Sequence, residues 1–250
     1  MDRSIPPAAA ILLEFIYRTE TSRRPPECYD VIFGNRQSAL PKPLTSMTLG
    51  DVIDAQKTWS TKAWAKRFGS TKASSAAGAP QFMRATLIDL SKELHLRGDQ
   101  VFDPDLQDRL GYHLLKRRGY EDFMAGRISR TEFGKRLAME WASFPVLAAT
   151  QGQKRKVQRG QSYYAGDGLN KALVAPEEVE MVLQVVKSAG SGHTAPFPSP
   201  GAQAPAEPKP APERPAGGKA GILSAIIAAL IGAGAWLANL PCHVFGIWCG

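Results

Sequence analysis

One stretch of this chain limits what the rest can fold into. Residues 189–219 consist mostly of Pro, Ala, Gly and Ser, and Ala202–Pro215 comes close to a Pro-Ala repeat carrying Glu207, Lys209, Glu213 and Arg214. Proline removes backbone donors, and a segment with so few large apolar groups cannot build a core, so it is expected to be an extended linker. At about 3.1 Å per residue it reaches on the order of 90 Å. The chain therefore divides into a domain over 1–188, the linker over 189–219, an apolar segment over 220–240 and a short tail over 241–250.

No charged side chain follows Lys219. The segment 220–240 has the length needed to cross a hydrocarbon core of roughly 30 Å. Ser224, Ala228 and Gly232 recur every fourth position, a spacing that allows close helix packing, and Trp236 and Trp248 suit an interface. The alternative, a buried helix of a soluble domain, lacks chain to cover it, so a C-terminal transmembrane helix is expected. Lys209, Arg214 and Lys219 precede it and no positive residue follows, which leaves the N-terminal domain cytoplasmic at first. Near the other end, the apolar run Ala8–Phe15 is interrupted by Glu14 and is too short to span, and it predicts a domain helix rather than a signal peptide.

The composition, 44% hydrophobic and 22% charged, excludes wholesale disorder. Cys28, Cys242 and Cys249 with four scattered histidines give neither a disulfide framework nor zinc-ligand spacing, so no metal or other cofactor is expected. The net charge of +8 favours an anionic partner: nucleic acid, anionic lipid or an acidic wall polymer. The basic run from Lys154 to Arg159 lacks any helix-turn-helix, zinc or aromatic stacking pattern, so no specific nucleic acid is implied. It reads first as a solvated loop, and next as an attractor for anionic peptidoglycan or lipid.

Between residues 8 and 188 the periodicity is mainly helical. Ile11, Leu12, Phe15 and Ile16 share one face of the first helix. Met83–Leu94 repeats Leu87, Leu90 and Leu94. Asp103 and Pro104 supply an N-cap and first turn, and Gly119 a stop. Ser129-Arg130-Thr131-Glu132 has the form of a capping box before Phe133, Leu137 and Trp141. Pro176–Lys187 is amphipathic with an acidic start that suits the helix dipole. Residues 29–80 are turn-rich, with a strand-like Tyr29–Phe33 and one helix over Leu49–Trp59 led by Thr48. The pattern predicts an α+β domain with a small irregular β lobe and a cleft between lobes.

Glu20 is expected to follow the first helix directly, at a helix end facing this lobe. Spacing alone favours a solvated surface charge there; apolar walls would instead raise its pKa and make it a proton donor. Leu12-Leu13-Glu14-Phe15-Ile16 leads to Glu20, and Tyr29-Asp30-Val31-Ile32 with Gly34 follows. Then come Ser75-Ala76-Ala77-Gly78 with Gln81, Leu106-Gln107-Asp108, and Trp141-Ala142-Ser143-Phe144-Pro145. In order and spacing these pieces resemble the lambda-type endolysins of phages and prophages, lysozyme-like muramidases that act as lytic transglycosylases. The resemblance covers roughly residues 8–175.

That resemblance implies a lysozyme-like α+β fold and peptidoglycan as substrate. It places Glu20 at the catalytic acid, which protonates the oxygen between N-acetylmuramic acid and N-acetylglucosamine and then takes a proton from the muramyl 6-hydroxyl. One carboxylate suffices for this, and no clear second acid is found. Asp30 is the nearest candidate, with a turn carboxylate bonded to backbone as its plainer role; Glu27 is a rival to Glu20 by proximity. Gln81 is implied as a substrate contact, against a hydrogen-bonded helix-entry residue. Tyr163 and Tyr164 offer a sugar-stacking loop or a core closure, and Trp141 reads as core. Two departures stand out: Ala79-Pro80 precede Gln81 where the family has a basic residue and Tyr, and a basic, proline-bearing loop, residues 21–28, follows the acid. The expected protein is a wall-cleaving enzyme of the bacterial inner membrane, held by a single C-terminal pass, made in the cytoplasm and acting on the periplasmic wall. The alternative is a catalytically inactive glycan-binding or membrane-scaffolding relative.

Overall fold

Helix α1 (Pro7–Thr21) runs through the middle of the domain. In the computed structural model, which describes residues 1–192, it is followed by α2 (Leu49–Trp59), α3 (Lys62–Lys66), α4 (Arg84–Glu93) and α5 (Pro104–Arg117). Next come α6 (Tyr120–Met124), α7 (Arg130–Glu140), strands β1 (Thr150–Gln151) and β2 (Lys156–Val157), and α8 (Pro176–Gly190). The apolar segment 220–240, the tail and nearly all of the linker lie outside the described residues. Among the described residues no helix is long and apolar enough to cross a membrane.

The single apolar face predicted for α1 understates its burial. Ala8, Ala9, Leu12, Leu13, Phe15, Ile16 and Tyr17 are all buried, and only Pro7, Glu14 and Arg18 are exposed. A helix apolar nearly all round belongs at the centre of a fold. It packs along α8 and against α5, while α7 also meets α8. Each fully buried Leu or Ile contributes about 2 kcal/mol by leaving water.

The helix starts follow their local chemistry. Thr48 Oγ1 accepts from Asp51 N at 3.1 Å and the Asp51 carboxylate accepts from Thr48 N at 3.3 Å, a complete capping box on α2. Asp103 Oδ1 accepts from Leu106 N at 2.7 Å to open α5, and Gly119, at φ 88°, closes the turn after it. The box expected at Ser129 is half made. Ser129 Oγ accepts from Glu132 N, but the Glu132 carboxylate accepts from Arg136 instead of returning to Ser129.

The β structure lies elsewhere than expected. Tyr29 falls in a 3-10 turn over Glu27–Asp30, not in a strand, and in the segment that follows Ile32 makes an isolated bridge with Ala77 before the chain turns at Phe33. Pro25, Pro26, Pro41 and Pro43 surround this segment and withhold the donors a ladder needs. The regular strands are β1 and β2, antiparallel, with Thr150 opposite Val157 and Gln151 opposite Lys156. Strand β2 falls within the basic run read as a loop, and β1 lies just before it. Buried Val157 pins the pair to the core, while Lys154, Arg155 and Lys156 remain exposed as anticipated for solvated cations. A mostly helical domain with one small sheet fits the lysozyme-like α+β class.

Candidate active site

Glu20 sits in the last turn of α1, not beyond the helix end, and Ser22 terminates that helix in the left-handed region at φ 57°. Part of the residue still meets solvent, yet protein packs closely around its carboxyl group. Burial raises its pKa from 4.5 to about 7, against the opposing effect of a hydrogen bond from Ser143. Desolvation wins, so near neutral pH the group is divided between acid and carboxylate.

Ser143 Oγ donates to Glu20 Oε1. This serine is buried in the turn after α7, and four further bonds fix the turn. Trp141 N donates to Leu137 O and Phe144 N to Trp141 O, while Ser143 O accepts from Leu173 N at 2.7 Å. Ala142 O accepts from Ser162 Oγ at 2.8 Å. Phe144 meets Phe15 of α1 edge to face at 5.6 Å, which holds the turn against the helix that carries the acid.

The segment Ala77–Phe82 is a tight hairpin. Ala77 N donates to Phe82 O and Phe82 N to Ala77 O. Pro80 lies in its loop, where no backbone donor is required, and its carbonyl accepts from Trp141 Nε1 at 3.1 Å. The proline thus withholds nothing from the ladder and gives the loop an anchor to the Ser143 turn. Gly78 takes φ 73°, and a side chain there would collide with the Gln107 amide. Buried Gln107 accepts from Ala79 N at 2.9 Å and donates to the carbonyls of Tyr29 and Phe102, each at 3.1 Å.

Behind this hairpin, the fully buried Asp108 accepts from the hydroxyls of Tyr17 and Tyr29, both at 3.0 Å, and from Asp2 N at 2.7 Å. Burial raises its pKa and these bonds oppose the rise. The network ties α1, the 3-10 turn and α5 together one helical turn before Glu20.

The residues picked out in sequence fall into two groups. Glu20, the Tyr163–Tyr164 loop and Gln81 are joined through the Trp141–Ser143 turn. Ser162, next to the tyrosines, bonds Ala142; Gln81 belongs to the hairpin that Trp141 anchors. Within that group, Gln81 Nε2 already donates to Gly78 O at 2.7 Å and Val31 O at 3.2 Å, at a backbone φ of 53°. Tyr164 donates its hydroxyl to Met139 O at 2.7 Å, and its ring meets Tyr163 edge to face at 5.3 Å. Trp141 is core. The second group stands apart. Asp30 accepts from Thr45 N at 2.9 Å, the backbone-holding role, and Glu27 is exposed in its turn. Sequence reasoning assigned no role to Ser143, Gln107 or Asp108. The available signal was polar side chains set among Leu106, Leu110, Trp141 and Phe144. Among the described residues no group of three His, Cys, Asp or Glu gathers to hold a metal ion.

Residues 12–169 match the model of a protein family described as Endolysin. No curated protein and no solved structure matches the chain.

Proposed function

This chain belongs to the endolysin family, whose members cleave peptidoglycan, and from that premise we propose that it is a lytic transglycosylase with Glu20 as its one acid and base. The observation that carries this reading is a carboxyl group raised to a pKa of about 7 by burial, on a residue that still partly meets solvent, and hydrogen-bonded by Ser143. Ser143 donates to Oε1, so the proton of the neutral acid resides on Oε2, the oxygen left for substrate.

The reaction then balances on one side chain. Glu20 gives its proton to the oxygen joining muramyl C1 to N-acetylglucosamine, the C1–O bond breaks, and the sugar leaves with a free hydroxyl. The resulting carboxylate stands beside an electron-poor C1. It removes the proton of the muramyl 6-hydroxyl, O6 bonds to C1, and a 1,6-anhydro ring closes. Glu20 ends protonated, as it began, and no water is consumed. A pKa near the working pH suits a group that must both give and take a proton.

The rest of the reading concerns place. Residues 220–240 anchor the protein in the bacterial inner membrane, the linker tethers the domain, and the domain acts on the periplasmic wall after release of the membrane barrier. Digestion of purified peptidoglycan by the full chain tests the chemistry. Mass analysis is expected to find 1,6-anhydromuropeptides, absent with Glu20→Gln. Reducing-end products without the anhydro ring would make it a hydrolase. Binding with no fragments released would make it the inactive relative, whose support is the Gly78-Ala79-Pro80-Gln81 departure. Recovery of the full chain in the soluble fraction would remove the anchor.

A further inference from the structure

Charge is unevenly spread over this molecule. Residues 31–88 hold eight lysines and arginines and only two acidic residues, Asp51 and Asp54. Both acids are engaged by neighbouring lysines, Lys42 and Lys57. Arg36, Lys62, Lys66, Arg67 and Lys72 make no ion pair among the described residues.

Part of this excess is built onto aromatic rings. Trp64 and Phe68 meet at 4.7 Å, and Phe68 is 41% exposed. The Arg36 guanidinium lies 4.9 Å from the Phe68 centroid and 5.8 Å from that of Trp64; Arg67 lies 5.9 Å from Phe68. Rings hold these guanidiniums where an acid ordinarily would. Arg36 Nη1 and, next in sequence, Gln37 Oε1 are buried with no hydrogen-bond partner among the described residues. Orphaned buried polar atoms are rare in folded proteins and call for a partner.

A run of hydrogen bonds links the shelf to the acid. Arg36 follows Val31–Phe33 after Gly34 and Asn35, and Asn35 N donates to Ile32 O. That same segment pairs with Ala76 and Ala77 and receives Gly78 N and Gln81 Nε2 on Val31 O. The hairpin reached in this way is the one Trp141 fixes beside Ser143 and Glu20.

We propose that the shelf of Arg36, Trp64, Arg67 and Phe68 docks the carboxylate-bearing stem peptides of peptidoglycan while the glycan strand lies at Glu20. This rests on the reading of peptidoglycan as substrate and adds the part of the polymer recognised. A guanidinium whose face is stacked still offers N–H donors at its edge to a carboxylate, as the exposed Arg67 does, and it is less strongly hydrated than an ammonium. The surrounding lysines attract the same groups at longer range. An anionic bilayer would use the charge but also needs an apolar face to insert. Helix α3 has five residues, and it turns Trp64 and Ala65 inward.

The test uses the full chain carrying Glu20→Gln, so that binding is read without cleavage. Its affinity is compared with that of an Arg36→Gln/Arg67→Gln derivative on intact sacculi, on glycan strands stripped of peptides by an amidase, and on phosphatidylglycerol vesicles. The double substitution is expected to weaken binding to sacculi about tenfold, the scale of one or two charge-assisted hydrogen bonds, and to leave binding to stripped strands unaltered. Equal losses on sacculi and stripped strands, no loss on either, or a loss confined to vesicles would each overturn the proposal. If the parent fails to bind stripped strands at all, the glycan reading itself falls, a separate result. Should the derivative fold poorly, competition needs no variant: free stem tetrapeptide is expected to displace the parent from sacculi, and its amidated form is not. Equal displacement by both forms, or by neither, counts against the shelf.

Discussion

Ser143, in the turn after α7, donates a hydrogen bond to Glu20, in the last turn of α1, across 123 positions of sequence. The bond favours the carboxylate while burial favours the acid, so a pKa of about 7 is the balance of two opposed effects.

The first expectation is a pH profile. A general acid works only when protonated, so cleavage of soluble peptidoglycan should be fastest below pH 7. Above it the rate should fall about tenfold per unit. Glu20→Gln should lower the rate at least about a hundredfold below pH 7, and the ratio should narrow above it, since among the described residues no other carboxyl bonds into this site. A rate that rises through neutrality would assign the acid elsewhere.

Glu20 should also govern stability. Its folded pKa of about 7 exceeds its ordinary 4.5, so the folded chain holds the extra proton between those values. Stability contributed by the neutral group is complete below about pH 4.5 and is lost as pH rises through 7. Glu20→Gln should therefore match the parent at pH 4 and exceed it at pH 8 by on the order of 3 kcal/mol. Urea unfolding at the two pH values reads the difference.

Ser143→Ala removes the donor that lowers the acid's pKa. The descending limb of the rate profile should move to higher pH. The maximum rate should fall about tenfold because the carboxyl loses its orientation. A merely structural serine would reduce the rate without moving the limb.

Gln107→Leu strands Ala79 N and the carbonyls of Tyr29 and Phe102 inside the protein. Three unpaired buried groups should cost about 3 kcal/mol or more in denaturant unfolding.

Tyr17→Phe removes one donor to the buried Asp108. The loss should be about 1.5 kcal/mol at pH 7, typical of a bond to a charged acceptor. Because the donors hold the Asp108 pKa down, that loss should shrink as pH falls and the carboxylate takes up its proton.

What the sequence shows of this molecule follows the range of each interaction. Thr48 and Asp103 announce α2 and α5 because a cap involves residues three positions apart. The five-residue helices α3 and α6 are too short to display a period, and β1 and β2 too short to alternate. Glu20 looks like a surface charge by spacing and gains its role only from the resemblance around it. Ser143 carries no local mark of a partner at position 20. Gln107 and Asp108 sit side by side in α5, and only the approach of the 78–81 loop and of Tyr17 decides that both are buried.

The distance between positions 20 and 143 has a bearing on the cell that makes this protein. The carboxyl leaves the ribosome long before its serine partner and the chain that walls it in. Until then it meets water with an ordinary pKa of 4.5, and only about three in a thousand such groups carry a proton at neutral pH. On the proposed mechanism a half-made chain holds no working acid, and lytic capacity is a late product of synthesis, acquired when the final turns close over the first helix.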